Sequence, residues 1–160
     1  MQSAFKKLRT QILGWLFNKL LPMYSIYFKK KIKPWKLSNQ NLLNYTKGTL
    51  GYQLGFFLQQ NKLVAMPKLE NHDCLHIITG FSTAVKDEIA LQYLCFGNGE
   101  RNLTTILVIS FGTLLLPEHF KYYTESFKKG KKYKPLYQLN FKNYLQINLQ
   151  TLQNQLLWTN

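Results

Sequence analysis

The chain has 160 residues, 46% of them hydrophobic and 18% charged, which suits one compact domain with a core of its own. Lys and Arg number 21 against 7 Asp and Glu, and the resulting +14 favours a polyanionic partner: an anionic membrane surface, a phosphorylated lipid or a nucleic acid. Cys74 and Cys95 have neither zinc-ribbon spacing nor the number a disulfide scaffold needs, and the longest apolar run, Thr104 to Pro117, falls short of the roughly 20 residues that span a bilayer.

Residues 4–36 hold nine Lys or Arg and no acid. Leu8, Ile12, Trp15, Leu16 and Lys19 have the spacing of a basic amphipathic helix ending near Pro22, fit either to lie among lipid headgroups or to pack on a core. No small-residue cleavage site follows, so a signal peptide is not expected. The expected organisation is a basic amphipathic segment over 1–36 and a helical domain over 37–160.

From Leu42 to Gln60 the apolar spacing predicts one helix, with Gly48, Gly51 and Gly55 marking close backbone approach. A second helix runs from about Asn71 to Ile78 and stops at Gly80; a third, capped by Ser82 or Thr83, ends at Gly97-Asn98-Gly99. Leu103 to Leu116 is apolar on nearly every side and predicts a buried helix, with a strand as the alternative because of its β-branched residues. Glu118 to Phe127 is helical, Lys128-Lys129-Gly130-Lys131-Lys132 is a basic loop or helix end, and Tyr144 to Trp158 forms a last amphipathic helix. With no alternating strand pattern, the expected fold class is all-α, a single compact helical domain.

Chemistry concentrates between residues 72 and 88, where His72, Asp73, His76, Asp87 and Glu88 fall in a chain with only three histidines. At about 100° per residue, His72 and His76 lie roughly 40° apart on a helix and Asp73 about 100° from His72, so the three can converge on one point. Glu88 would come from the following helix. Two imidazoles with one or two carboxylates suit zinc, iron or manganese better than magnesium or copper.

Other readings stay open on these residues alone. Two histidines four apart also occur in zinc proteases, but Asp73 has a shorter reach than the glutamate general base used there. A His-Asp phosphohydrolase needs further ligands, and only His119 is left to supply an imidazole. A metallohydrolase could use Glu88 or Asp73 as its base. A nucleic-acid module would explain the charge and the aromatic content, though not the histidine helix. Alternatively, His72 and Asp73 begin an ordinary helix and His76 is a buried core imidazole.

His72-Asp73-Cys74-Leu75-His76 followed after eleven residues by Glu88 resembles the motif of the fourth coenzyme Q (ubiquinone) biosynthesis family. The flanks Ile77-Ile78-Thr79-Gly80-Phe81-Ser82 and Ile89-Ala90-Leu91-Gln92, the upstream Gly48-Thr49-Leu50-Gly51, and Gly130 with Pro135-Leu136 are similar too. The resemblance runs from about Asn41 to Leu156. Lys47, where the family usually has an acid, and Leu139-Asn140-Phe141 depart from its pattern.

The resemblance implies a peripheral membrane protein inside the cell, on the cytoplasmic face of a bacterial membrane or in an organelle. It would hold a polyprenylated quinone precursor, with zinc as the first choice of metal and iron or manganese behind it. His72, Asp73, His76 and Glu88 would be the ligands and catalytic residues, in removal of the ring carboxylate, hydroxylation of the same carbon, or scaffolding of other quinone-biosynthesis enzymes. A nucleic-acid partner is not expected, and self-association is open.

Overall fold

A computed structural model describes residues 7–15 and 33–157. Residues 7–15 are helical (α1), followed by α2 (Asn39–Leu43), α3 (Leu50–Gln60), α4 (Glu70–Thr79), α5 (Val85–Gly97), α6 (Leu103–Leu115), α7 (Phe120–Lys132) and α8 (Leu149–Leu156). Single 3-10 turns cover Pro117–His119, Leu136–Gln138 and Phe141–Tyr144. Among the described residues there is no strand, only an isolated antiparallel bridge between Thr49 and Asn148. The all-α expectation holds. Most of the basic N-terminal segment, residues 16–32 in particular, lies outside the described residues.

One compact unit comprises, of the described residues, 33–80 and 139–157. The single helix expected over 42–60 is two, because Gly48 takes a left-handed φ of +87° and Thr49 caps α3 by accepting the Tyr52 N–H. The glycines of α3 do allow close approach. A Cβ on Gly51 would stand 2.7 Å from the Tyr45 ring, and one on Gly55 2.9 Å from Leu42. Leu50 and Gly51 donate their N–H groups to the carbonyls of Ile147 and Leu145, satisfying two of the orphan donors that begin α3. Asn148 then caps α8 through the N–H groups of Gln150 and Thr151.

The other unit comprises, of the described residues, 7–15 and 81–138. Its centre is the pairing of α5 with α7, where Gly97 lies against the Phe127 carbonyl and Gly130 against that of Leu94, so closely that a Cβ at either would overlap backbone. Asn98 completes the junction. Its amide donates to the carbonyls of Gly130 (3.0 Å), Tyr133 (3.2 Å) and Lys134 (2.9 Å), and its oxygen accepts the Leu136 N–H at 2.7 Å. The basic run that the sequence leaves as loop or helix end is the last turn of α7, where the lysines also oppose the helix dipole's negative end.

α6 corrects an expectation. It is helical, capped by Asn102, but it is not buried: only Thr105 and Gly112 are, while Leu103, Phe111 and Leu114 are 60%, 53% and 74% exposed. The reason lies in which residues meet α5. The small ones do, Thr105 bonding Gln92 at 3.0 Å and Gly112 admitting the Ile89 side chain, so the large residues at helical spacing point the other way.

Candidate metal centre

α4 carries both candidate imidazoles, and polar clasps fix it at each end. At its start Glu70, a buried carboxylate, accepts the Trp35 N–H at 2.9 Å. Asn71, expected as a cap, instead bridges to a distant strip of chain, donating to the Leu139 carbonyl and accepting the Phe141 N–H, both at 3.0 Å. At its end Gly80 adopts the left-handed C-cap (φ +78°), and Gln153 from α8 donates to the Ile78 carbonyl at 2.9 Å, relieving one of the last turn's orphan acceptors.

On this fixed helix His72 is half-buried and His76 buried, with their Nε2 atoms 3.2 Å apart and their rings edge to face. Phe57 of α3 stacks on the His76 ring at 5.7 Å, holding its plane. Cys74, between them on the helix, is buried. Burial pushes its thiol well above the ordinary value, and the Asp73 and Glu70 carboxylates push it further, so it stays a neutral thiol and a poor ligand.

Asp87 and Glu88 sit together in the first turn of α5. Asp87 is engaged: it accepts from the Ser82 hydroxyl and N–H and, at 3.0 Å, from the Tyr122 hydroxyl. That network, with Ser82 also accepting the Ala84 N–H, replaces the side-chain cap expected from Ser82 or Thr83. Burial and the Asp87 hydrogen bond push the Tyr122 phenol up to about 12.

His72, His76 and Glu88 each offer a ligand atom, and these atoms all lie within 4.8 Å of one another, a group that could hold a metal ion. The donors fit such an ion. Two nitrogens at about 2.0–2.1 Å from one tetrahedral zinc would stand roughly 3.3 Å apart, close to the separation of the two Nε2 atoms, although an imidazole–imidazole hydrogen bond has a similar length. The carboxylate oxygen is what a hydrogen-bonded histidine pair would not require. Asp73 is not part of the group, nor is His119, whose ring lies 6.1 Å from that of Tyr123.

Glu70 and Gln153 gave no signal in the sequence, and Phe57 gave only its place on the apolar stripe of its helix. Each acts through contacts with residues 19 to 76 positions away, which no local pattern reports.

The described residues are all-helical, with a His72, His76 and Glu88 group that could hold a metal ion. The sequence profile of the coenzyme Q (ubiquinone) biosynthesis protein Coq4 family matches residues 63–159, and the chain belongs to that family. A role in coenzyme Q biosynthesis comes with this membership. All four expected ligands fall inside the matched stretch, while Gly48-Thr49-Leu50-Gly51 lies upstream of it. The fold is shared with a crystal structure of a candidate ubiquinone biosynthesis protein from Nostoc punctiforme, at a TM-score of 0.65 and 19% identity, covering 96% of this chain and 81% of that one. No curated protein sequence matches.

Proposed function

We propose that the chain binds a divalent cation through His72, His76 and Glu88 and acts at that site on the ring carboxylate of a polyprenylated quinone precursor. Asp73 serves as a fourth ligand or as the hydrogen-bond partner that orients a ligating imidazole. The observation that supports this reading is the convergence of two imidazole nitrogens and one carboxylate within 4.8 Å. Zinc suits the donor set, as do iron and manganese.

When bound, the cation supplies a Lewis acid for a carboxylate or phenolate oxygen, and iron or manganese would add redox capacity. The protein's own part is placement. Phe57 and burial fix the His76 ring; Glu70, Asn71 and Gln153 fix the helix that carries it. In decarboxylation the ring carbon loses carbon dioxide and takes up a proton; in the oxidative version the same carbon gains a hydroxyl at the expense of dioxygen and a reductant. The isoprenoid tail must be kept from water, which at about 25 cal/mol per Å² of apolar surface calls for an apolar groove or a lipid surface. Presentation of the precursor to other enzymes of the pathway fits the same site.

Metal analysis of the purified protein tests the centre. The wild type should hold near-stoichiometric zinc, iron or manganese, and His72→Ala, His76→Ala and Glu88→Gln should each bind at least a hundredfold more weakly while keeping the helical circular dichroism. Wild type and variants equally devoid of metal affinity would remove the assignment.

A further inference from the structure

Among the described helices, α6 exposes the most large apolar side chains, all on its outward face. Leu103, Ile106, Leu107, Phe111 and Leu114 follow one another at helical spacing, each at least 43% exposed, and α6 contains no charged residue. Isolated exposed leucines are ordinary; five large side chains on one helix face are not. At ~1.5 Å per residue the 13 residues of α6 reach about 20 Å, short of a ~30 Å hydrocarbon layer, and no described helix is long and apolar enough to cross a membrane. Such a helix can lie in the plane of a headgroup layer.

The charges beside α6 indicate which surface it meets. Asn98 binds the carbonyls of Gly130, Tyr133 and Lys134 and stands four residues before Asn102, the cap of α6. The end of α7 and the residues after it, with exposed Lys128, Lys129, Lys131, Lys132 and Lys134, therefore lie beside the end of α5, from which the chain leads into α6. Glu100, the acid at that end, is tied to the Asn102 side chain. A second copy of a +14 chain would bring like charge to this place, whereas an anionic bilayer offers phosphate at headgroup depth and hydrocarbon just below it.

We propose that the exposed face of α6 inserts into the headgroup layer of an anionic bilayer, with the 128–134 lysines on lipid phosphate. This names the lipid surface from which a prenylated precursor would be drawn, and rests on the proposed function only to that extent. The contact itself needs neither metal nor precursor.

The test is sedimentation of metal-stripped full-length protein with vesicles of phosphatidylglycerol and phosphatidylcholine, and with phosphatidylcholine alone. Wild type should partition at least tenfold more strongly onto the anionic vesicles. The F111D/L114D variant should lose at least tenfold of that partitioning with unchanged circular dichroism. Replacing Lys128, Lys129, Lys131 and Lys132 by Gln should remove most of the preference for anionic lipid, roughly fivefold per lysine near the surface. Equal retention of wild type and F111D/L114D would overturn the proposal. So would absence of vesicle binding by wild type, or an F111D/L114D variant whose only change is from dimer to monomer, which would show a second copy covering the face. Because no metal is present, failure here leaves the metal centre untouched, and loss of the metal centre leaves this binding in place.

Discussion

α4 and α6 invert each other. α4 carries two histidines, three polar or acidic neighbours and a cysteine, yet Glu70, Cys74, Leu75, His76 and Ile78 are buried; α6 is the most apolar helix described, yet most of its large side chains face outward. Polarity alone would have assigned them the opposite places. What separates them is satisfaction: each polar group of α4 that leaves water has a partner, Glu70 with Trp35, Asn71 with Leu139 and Phe141, His76 with His72, so burial carries little penalty. α6 offers α5 only threonine and glycine as a close seam, and five of its large side chains stay exposed. A buried polar helix and an exposed apolar one are the two departures from ordinary patterning that point to function.

Substitutions can break this contrast, beginning with the largest expected effect. Ile78→Ala, at a fully buried position of α4, should cost about 2–5 kcal/mol in denaturant unfolding, while Leu114→Ala on α6 should stay within about 0.5 kcal/mol. Comparable losses at both would mean that α6 is packed after all. Asn71→Ala strands the Phe141 N–H and the Leu139 carbonyl and should cost about 1–3 kcal/mol, with weaker metal binding as α4 loosens. Gly80→Ala meets no neighbour within 4 Å, so its cost should be only that of the left-handed backbone, about 1–2 kcal/mol in thermal unfolding.

The smallest effect sharpens the comparison on the α5 side of the chain. The Tyr122 phenol is raised in the folded protein to about 12 from an ordinary 10, so its contribution to stability is fully present below pH 10 and is lost as pH climbs toward 12. Tyr122→Phe should flatten that part of the pH–stability curve; an unchanged alkaline limb in Tyr122→Phe would assign it to other groups, such as the buried Tyr123 phenol, which is raised as well.

How much of this was legible in the sequence follows from the range of each interaction. The stop of α4 at Gly80, the end of α5 at Gly97 and the pairing of His72 with His76 are local, set by cap chemistry and the helical repeat, and they read correctly. The choice of Glu88 over Asp87 came from the family motif, and its physical counterpart is the capture of Asp87 by Ser82 and Tyr122. The break between α2 and α3 was missed because Gly48 was taken for a packing glycine when its φ makes it a turn. The outward face of α6 was missed because composition reports how apolar a helix is, not which of its sides finds a neighbour. The basic 1–36 segment stays an expectation beyond α1.

The seven carboxylates have a consequence of their own. Glu70 is sealed against a backbone amide, Asp87 holds a serine and a tyrosine, Glu100 an asparagine, Glu118 the guanidinium of Arg9, and Glu88 stands with the imidazoles. Five of the seven are thus engaged within the chain, and 21 Lys and Arg stand against seven acids in all. The net +14 repels itself most where salt is low, so added salt, by screening it, should raise the folded protein's stability.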